Sequence, residues 1–295
     1  MLMKLPIIIG GRGKIDMPEM ALDKEAMRRF WVARGSAWDR WADVVATPAA
    51  RMNEPLIAAA QLRPGLKLLD LASGAGEPAL TIAERLGPTG EVVASDLVAE
   101  MLAGARRRAK ALGLANMRFE FADMEALPFP DRRFDRVTCR FGIMFVPNAQ
   151  QALAEVRRVL VSGGRAAFMV WGPREDTTMF RIIVAAAGRI LGHDPEHDMS
   201  AIFRFAEPGS LAGLFDRAGF VDIKEEDLRL SGTMPLGEPF WRPQMEMSLG
   251  TRIASAGVEK LRALETAITD AFKGEIQDDR YVLAAHTRIV SGSAP

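Results

Sequence analysis

The stretch that decides the fold is residues 68–79, which read Leu-Leu-Asp-Leu-Ala-Ser-Gly-Ala-Gly-Glu-Pro-Ala. An apolar run at 66–71 predicts a short buried strand, and a helix is predicted over 78–86. Pro78 suits the first helical turn, where its missing N–H is harmless. Gly74 and Gly76 stand between the two, and glycines let a turn adopt positive φ and let a ligand approach closely. The stretch therefore predicts a ligand-binding loop at the carboxyl end of a strand.

Outward from this loop, strands alternate with helices of about a dozen residues, a pattern typical of βαβ units. Strands are predicted at 91–94, 117–122, 134–140 and 165–171, and helices at 100–112 and 149–160. This alternation favours a parallel sheet with helices on both faces. Beyond Gly172 the regular alternation ends. A helix at 179–191, an edge strand at 220–230, a helix near 257–273 and a final strand at 281–290 are predicted there.

Four regions follow from this pattern. They are an N-terminal leader and helical lid (1–60), a core around the glycine loop (61–175), an irregular insert (176–207), and a C-terminal part that completes the sheet (208–295). In the lid, Trp31, Trp38 and Trp41 can share one helical face, unless Gly35 and Ser36 break the helix. These tryptophans either dock the helix on the core or form an aromatic lid over a ligand.

The glycine loop fits two cofactor classes. The spacing Gly74-x-Gly76-x-x-Ala79, with Asp96 20 residues after Gly76, satisfies the dinucleotide fingerprint. That fingerprint places a pyrophosphate on the helix N-terminus and an acid on the ribose. The same spacing accommodates S-adenosylmethionine, which also carries a ribose.

The acids around the loop favour the second class. Asp70 precedes the glycines and Glu77 follows them, and two carboxylates suit a ligand with positive groups better than a pyrophosphate. S-adenosylmethionine carries a sulfonium and an ammonium. Asp96 and Asp123 end the next two predicted strands, where they would reach the ribose and the adenine. Any one of these acids could be only a helix cap or turn residue, whereas all three strand ends together favour a cofactor site.

Composition excludes several function classes. The chain has 295 residues with 38 basic and 38 acidic side chains, so it lacks the basic excess of a nucleic-acid or membrane-surface binder. Its single cysteine, Cys139, excludes an intrachain disulfide, and with three histidines a zinc site is not expected. No apolar run reaches the length of a membrane span, and the first ten residues lack a signal-peptide pattern. We expect a cytoplasmic protein without a metal.

These motifs together resemble the class I S-adenosylmethionine-dependent methyltransferases, in particular the ubiquinone/menaquinone-biosynthesis type and similar small-molecule enzymes. The resemblance covers residues 36–172 and rests on the segments 69–76, 94–97, 101–102, 122–129, 134–137, 140–145, 155–160 and 163–165, with a fainter match at 218–220. It implies a Rossmann-like, doubly wound, seven-stranded, mostly parallel α/β sheet whose last strand is antiparallel, with an N-terminal helical lid and an insert after strand 5. It also implies that 61–175 bind the cofactor, that the insert (176–207) caps the substrate, and that 208–295 complete the substrate pocket.

The resemblance also implies which residues hold S-adenosylmethionine. They are Trp38, Asp70, Ala72, Gly74, Gly76, Asp96, Leu97, Met101, Asp123, Met124, Arg140 and Phe141. Ala72 departs from the family pattern, in which many members have glycine. Because alanine favours negative φ, we expect the loop to form with Ala72 in that region.

The acceptor is predicted to be an apolar or aromatic small molecule. The predicted pocket residues are Met144, Phe145, Trp171, Met179, Phe203, Phe205 and Trp241, and the Met-rich stretch 241–247 suits either an adaptable pocket wall or a plain core. His193 and His197 are candidate general bases, which are needed only for an unactivated hydroxyl or carbon acid. His286 is predicted to pack within the last strand.

The sequence therefore predicts methyl transfer to an oxygen, nitrogen or carbon nucleophile of a small molecule in biosynthetic or secondary metabolism. The alternatives are an NAD(P)-dependent oxidoreductase with a single Rossmann unit and a non-catalytic S-adenosylmethionine-binding protein. The expected partner is the small-molecule substrate, with neither nucleic acid nor membrane, and the protein is expected to be a monomer or a homodimer.

Overall fold

The fold is built on one mixed sheet of eight strands. The structure is a computed structural model that describes residues 23–192 and 200–295. The strands are β1 (Lys67–Leu71), β2 (Glu91–Asp96), β3 (Met117–Phe121), β4 (Phe134–Arg140), β5 (Leu160–Trp171), β6 (Val221–Pro235), β7 (Ile276–Gln277) and β8 (Arg280–Ser293).

The strand order confirms the predicted doubly wound fold. It is β3-β2-β1-β4-β5-β8-β6, and the two-residue β7 also pairs with β8. Strands β1 to β5 are mutually parallel, while β8 pairs antiparallel with β5, β6 and β7. Strand order reverses between β1 and β4, and open α/β sheets bind their ligands at the carboxyl ends of such strands.

Ten helices surround this sheet in the described part of the chain. They are α1 (Lys24–Val32), α2 (Gly35–Ala59), α3 (Ala79–Leu86), α4 (Ala99–Ala111), α5 (Ala149–Val159), α6 (Thr178–Leu191), α7 (Ser210–Arg217), α8 (Arg242–Leu249), α9 (Thr251–Ser255) and α10 (Val258–Phe272). The Asp23 side chain caps α1 by accepting from the Ala26 N–H. The predicted lid helix is broken next to Gly35, where the chain turns between α1 and α2.

The core lies on both faces of the sheet because successive strand residues point in opposite directions. Leu68 of β1 packs in a cluster with Ile82 of α3, whereas the adjacent Leu69 packs in a cluster with Leu153 of α5. This alternation fixes β1 in the sheet centre and holds its carboxyl end in place. Across residues 23–192 and 200–295, no helix is both long and apolar enough to cross a bilayer.

A separate apolar cluster lies beside the sheet. It joins α6, α8 and α10, with Ile183, Trp241, Leu264 and Phe272 buried together. Residues 242–272 thus form a helical segment between β6 and β7. This packing holds α8 against α2, where Arg34 donates to the Ser248 carbonyl.

Candidate functional site

A cavity of about 230 Å³ lies at the carboxyl ends of the parallel strands. One side is formed by the loops that follow β1 to β5. The other side, here called the cover, comes from α1, α2, the turn between them and α8, and it includes Phe30, Trp31, Arg34, Trp38, Gln244, Met247 and Ser248. The cavity therefore joins the sheet edge to helices that are far away in the chain.

Most of the predicted cofactor residues line this cavity. They are Trp38, Ala72, Gly74, Asp96, Leu97, Met101, Asp123, Met124, Arg140 and Phe141. Asp70 and Gly76 lie behind the loop instead. A Cβ on Gly76 would stand 2.7 Å from Cδ1 of Leu80, so this glycine allows the loop to approach α3 closely.

Asp96, at the end of β2, organises the glycine loop. Its Oδ2 accepts the Gly74 N–H at 2.9 Å and its Oδ1 accepts the Val98 N–H at 2.9 Å. Burial raises the pKa of Asp96 to about 6, although these backbone N–H groups oppose the shift. Each carboxylate oxygen has a second lone pair, so Asp96 can still accept from hydroxyl groups of a ligand in the cavity.

Asp70, in β1, is a fully buried carboxyl. Its Oδ1 accepts from the Thr138 hydroxyl at 2.6 Å, whereas Oδ2 is buried without a hydrogen-bond partner. Burial raises its pKa to about 7, against the opposing hydrogen bond from Thr138. A buried carboxylate oxygen without a partner is costly. Because Asp70 does not itself line the cavity, its negative charge can act on a positively charged ligand only across the loop.

The backbone of the loop differs from the expectation in one respect. Ala72 has φ of 52°, in the left-handed region, rather than the negative φ that its side chain favours. The hydrogen bonds that follow it explain this: the Ser73 N–H donates to the Ser95 carbonyl and the Ser73 hydroxyl to the Asp70 carbonyl. Phe141, at the end of β4, is likewise left-handed, with φ of 60°. Such strain clusters at functional sites.

Asp123, after β3, is covered by helix α1. Its Oδ2 accepts from Lys24 Nζ at 2.6 Å, and Lys24 also pairs with Glu125. These two carboxylates raise the pKa of Lys24. Both Lys24 and Asp123 line the cavity, so this ion pair links the start of α1 to the third strand end.

Arg140 lies in a polar cluster on the floor of the cavity. It donates to Asn53 Oδ1 at 2.8 Å and to the Glu77 carbonyl at 3.2 Å. The Glu77 carboxylate accepts from Asn53 and Thr81. The cluster fixes the position of the Arg140 guanidinium close to the glycine loop.

Aromatic side chains form the remaining wall, here called the aromatic wall: Trp31, Phe141, Phe145, Trp171 and Phe180. The Phe141 and Trp171 rings stack with centroids 4.1 Å apart, and Phe180 meets Trp171 edge-on at 5.0 Å. Trp31 contacts the Phe145 ring at 4.9 Å. Such contacts position rigid apolar surfaces against a ligand.

The predicted acceptor residues are divided by the structure. Phe145 and Trp171 line the cavity. The others are absent from its lining. Met144 and Phe205 are buried in the core that includes α5 and α7, and Trp241 is buried in the α6–α8–α10 cluster, while Phe203 and Met179 are half-buried and pack against these two clusters. Aromatic composition alone does not separate a core position from a pocket position.

Sequence reasoning missed several lining residues, namely Phe30, Arg34, Phe180, Gln244 and Ser248. Two signals were informative. The tryptophan spacing in 31–41 predicted that Trp31 contacts the core or a ligand, and Trp31 lines the cavity. The Met-rich stretch 241–247 predicted a pocket wall or a core, and it is both: Met247 lines the cavity and Met245 is in the α6–α8–α10 cluster. No motif marks Arg34.

The histidines fall into two groups. His193 and His197, the candidate bases, lie outside the described residues. His286 lies in β8 with 1% of its surface exposed, and its Nδ1 is 2.8 Å from Asp176 Oδ2. Cys139 is buried beneath the loop, and burial raises the pKa of its thiol well above the usual range.

Comparison with known proteins shows what the chain is similar to. Residues 35–233 match the model of the ubiE/COQ5 methyltransferase family. A "Ubiquinone/menaquinone biosynthesis C-methyltransferase UbiE" from Cupriavidus metallidurans is 35% identical over 177 residues, covering 57% of this chain and 72% of that protein.

Solved structures share the fold. The YcgJ protein from Bacillus subtilis has a TM-score of 0.54 at 21% identity, covering 83% of this chain and 98% of that one. Phosphoethanolamine N-methyltransferase 2 from Haemonchus contortus, solved with S-adenosyl-L-methionine, has a TM-score of 0.53 at 18% identity, covering 83% of this chain and 52% of that one.

Proposed function

Because the chain belongs to the ubiE/COQ5 methyltransferase family, we propose that it transfers a methyl group from S-adenosylmethionine to a ring carbon of a hydroxylated aromatic small molecule. The chain is an S-adenosylmethionine-dependent methyltransferase, so the proposal concerns the acceptor and the residues. The relatives are named as C-methyltransferases of quinone biosynthesis, which supports carbon as the acceptor atom.

The observation that carries the proposal is the aromatic wall in the same cavity as the strand-end acids. The ends of β2 and β3 contribute Asp96 and Asp123, whereas the ends of β4 and β5 contribute Phe141 and Trp171. Flat aromatic surfaces suit a flat aromatic acceptor. We assign the acids to the cofactor and the aromatic wall to the acceptor, with Phe141 at the boundary between the two.

The proposed cofactor contacts follow the strand ends. Asp96 and Leu97 bind the ribose and flank the adenine, with Met101 nearby, and Asp123 and Met124 contact the adenine. Asp70 stabilises the positively charged methionine end, beside Arg140 and Phe141. The close backbone of Ala72, Gly74 and Gly76 and the cover residue Trp38 complete the site.

The chemistry requires orientation and exclusion of water more than acid–base catalysis. S-adenosylmethionine supplies an activated methyl group, and the protein supplies binding and alignment. Alignment can contribute roughly 7–11 kcal/mol of barrier lowering. In the proposed reaction a ring carbon forms the new C–C bond, the C–S bond breaks, and the ring then loses a proton. An ionised ring hydroxyl makes that carbon nucleophilic; His193 and His197 stay candidate proton acceptors.

The test is methyl transfer from S-adenosylmethionine with a ¹³C-labelled methyl group to a matched naphthalene series. The series is 1,4-naphthalenediol (under anaerobic conditions), 1-naphthylamine and naphthalene. We expect release of S-adenosylhomocysteine and a ring C-methyl product, identified by NMR, with the diol only. An O-methyl or N-methyl product would contradict carbon transfer. Cofactor binding without turnover on a wide acceptor panel would favour a non-catalytic binding protein.

A further inference from the structure

The cations that line the cavity are not equivalent. Lys24 pairs with Asp123. Arg108 and Arg140 both lie near Glu77, the first at 3.5 Å from its carboxylate. Arg34, in the turn between α1 and α2, also lines the cavity. Among the residues that the structure describes, it has no carboxylate within ion-pair distance.

The contacts of Arg34 are all with neutral groups. Its Nε and Nη2 donate to the Ser248 carbonyl at 3.3 and 3.2 Å, and its Nη1 donates to the Phe30 carbonyl at 2.9 Å. The guanidinium also lies 3.4 Å from the centroid of the Phe30 ring. Three contacts leave part of its set of five N–H donors unused. Only 1% of Arg34 is exposed, and burial, with the nearby charge of Arg252, lowers its pKa to about 10.

A buried cation without a counter-charge destabilises the folded protein. An anion that binds beside the cation offsets this cost. Arg34 would therefore have a function at this position if the ligand itself carries an anionic group that pairs with it. Guanidinium groups bind carboxylate and phenolate oxygens through charge-assisted hydrogen bonds.

A second donor in the same wall supports this interpretation. The Nε1 of Trp38 is buried and has no hydrogen-bond partner. Trp38 lies four positions after Arg34 and also lines the cavity. An indole N–H and a guanidinium can donate but cannot accept. The start of α2 thus brings two donors to the cavity wall, which suits an oxygen-bearing anion.

We propose that Arg34 is a specificity-determining residue that binds an anionic oxygen, carboxylate or phenolate, of the methyl acceptor, with Trp38 Nε1 as a second donor. This inference rests on the proposed function, because it assumes an aromatic acceptor in this cavity. The neighbouring aromatic residues place Arg34 on the acceptor side. The guanidinium of Arg34 lies over the Phe30 ring, and Trp31, next to Phe30, contacts Phe145. If the oxygen is a phenolate on the reacting ring, the contact also favours the ionised, more nucleophilic ring.

The test measures acceptor binding by calorimetry on the full chain saturated with S-adenosylhomocysteine. Two pairs of probes separate the two anions. The carboxylate pair is 1-hydroxy-2-naphthoate and 1-hydroxy-2-naphthamide. The phenolate pair is 4-nitro-1-naphthol at pH 8 and its methyl ether. In at least one pair the wild-type protein should bind the anion about tenfold tighter than the neutral partner, as for a charge-assisted contact.

The variants then assign that preference. Arg34→Met should reduce the ratio to about one while leaving the affinity for the neutral probe within about threefold, and Arg34→Lys should keep part of the ratio. The control is Arg40→Met. Arg40 also links α2 to α8, through Glu246, but is exposed and does not line the cavity. It should leave the ratio unchanged.

Three results would overturn the inference. They are a wild-type ratio near one in both pairs, a ratio that survives Arg34→Met, and a loss of S-adenosylhomocysteine affinity in Arg34→Met with the ratio intact. The last result would instead assign Arg34 to the carboxylate of the cofactor. If Arg34→Met does not fold, Arg34→Lys replaces it: a ratio between one and the wild-type value supports the inference, and an unchanged wild-type ratio overturns it. Because the experiment measures binding alone, its outcome is separate from the labelled transfer assay that tests the proposed function.

Discussion

The cavity has two sides that are built in different ways. The sheet side comes from residues close in sequence, and its groups bond to one another: Asp96 accepts from Gly74, and Ser95 donates its hydroxyl to the Asp70 carbonyl. The cover joins segments that are far apart, with Arg34 and Ser248 separated by 214 positions. The sheet side is therefore a property of one motif, whereas the cover depends on how the whole chain packs.

The two sides also differ in burial and thus in strength. Asp70, Ser73 and Ser95 are each at most 1% exposed. The ion pairs of the helices that carry the cover are more exposed: the side chain of Lys24, paired with Asp123, is 44% exposed, and that of Arg40, paired with Glu246, is 64% exposed. Exposed ion pairs contribute about 0–1 kcal/mol to stability. We therefore expect the cover to open locally at a lower free energy than the sheet side. Mutations of the strand-end acids and the glycine loop should affect the cofactor and stability. Mutations in the cover, apart from Trp38 beside the cofactor, should affect the acceptor.

The largest expected effect comes from Asp70→Asn. The substitution keeps the shape but removes the buried negative charge whose Oδ2 has no partner. In the proposed complex the charge partner of Asp70 is the positively charged end of the cofactor, on the other side of the loop. Loss of one member of such a buried pair costs about 3 kcal/mol, which is about 100-fold in affinity. We expect the dissociation constant of S-adenosylmethionine, measured by calorimetry, to rise by that factor. An unchanged constant would show that Asp70 only supports the loop.

The pH dependence of the same affinity is an internal control. Asp70 has a pKa raised from 3.8 to about 7, so the folded protein binds this proton more tightly than the unfolded chain does. Its contribution to the free energy of unfolding therefore falls as pH rises from about 4 to 7. A cationic ligand favours the carboxylate, so affinity should rise through that range. In Asp70→Asn the part of this increase nearest pH 7 should disappear, while the part due to Asp96, with a pKa of about 6, is retained.

A smaller effect is expected from Gly142→Ala, also on the sheet side. An added Cβ would stand 2.5 Å from the Ala72 Cβ and 2.9 Å from the Cys139 Sγ, so the loop or β4 has to move. Overpacking of this kind costs about 1–3 kcal/mol. The free energy of unfolding, measured with urea, should fall by that amount. Gly188→Ala, in α6 with no atom within 4 Å of the added carbon, is the matched control. It should be neutral or stabilising by up to about 1 kcal/mol.

The same contrast explains how much of the fold could be predicted from the sequence. From β1 to β5 the alternation of strands and helices gave the correct order of elements, because each βαβ unit is encoded by local periodicity. The left-handed Ala72 was missed because its φ is set by tertiary hydrogen bonds from Ser73 rather than by its own preference. Helices α8 and α9 were also missed, since the prolines in 235–243 interrupt the pattern from which helices are predicted.

The candidate site divides along the same line. Asp96 ends β2 and Asp123 follows β3, so their convergence on the cavity could be predicted from chain order alone, whereas Asp70, inside β1, lies behind the loop. Trp241 and Met179 were expected in the pocket but lie in the α6–α8–α10 cluster, while Met247, only six positions after Trp241, lines the cavity. Only the rotation of α8 against α2 decides which side chains face the cavity, and no local pattern specifies that rotation.

The smallest expected effect is at Glu246, which joins α8 to α2. Its Oε2 accepts from Trp41 Nε1 at 2.8 Å and from Arg40 Nη1 at 3.1 Å. Glu246→Gln keeps an acceptor oxygen but removes the charge, so stability should fall by about 1 kcal/mol or less. Because the link orients α8, the KM for the acceptor should rise about threefold, which is about 0.7 kcal/mol. The dissociation constant of S-adenosylmethionine should not change. Glu265→Gln removes the 2.7 Å pair with Arg242 between α8 and α10, without touching α2, and is the control. Equal effects of the two variants on KM would mean that α8 is held by its own cluster, and a change in cofactor affinity would mean that the two sides of the cavity are not separable.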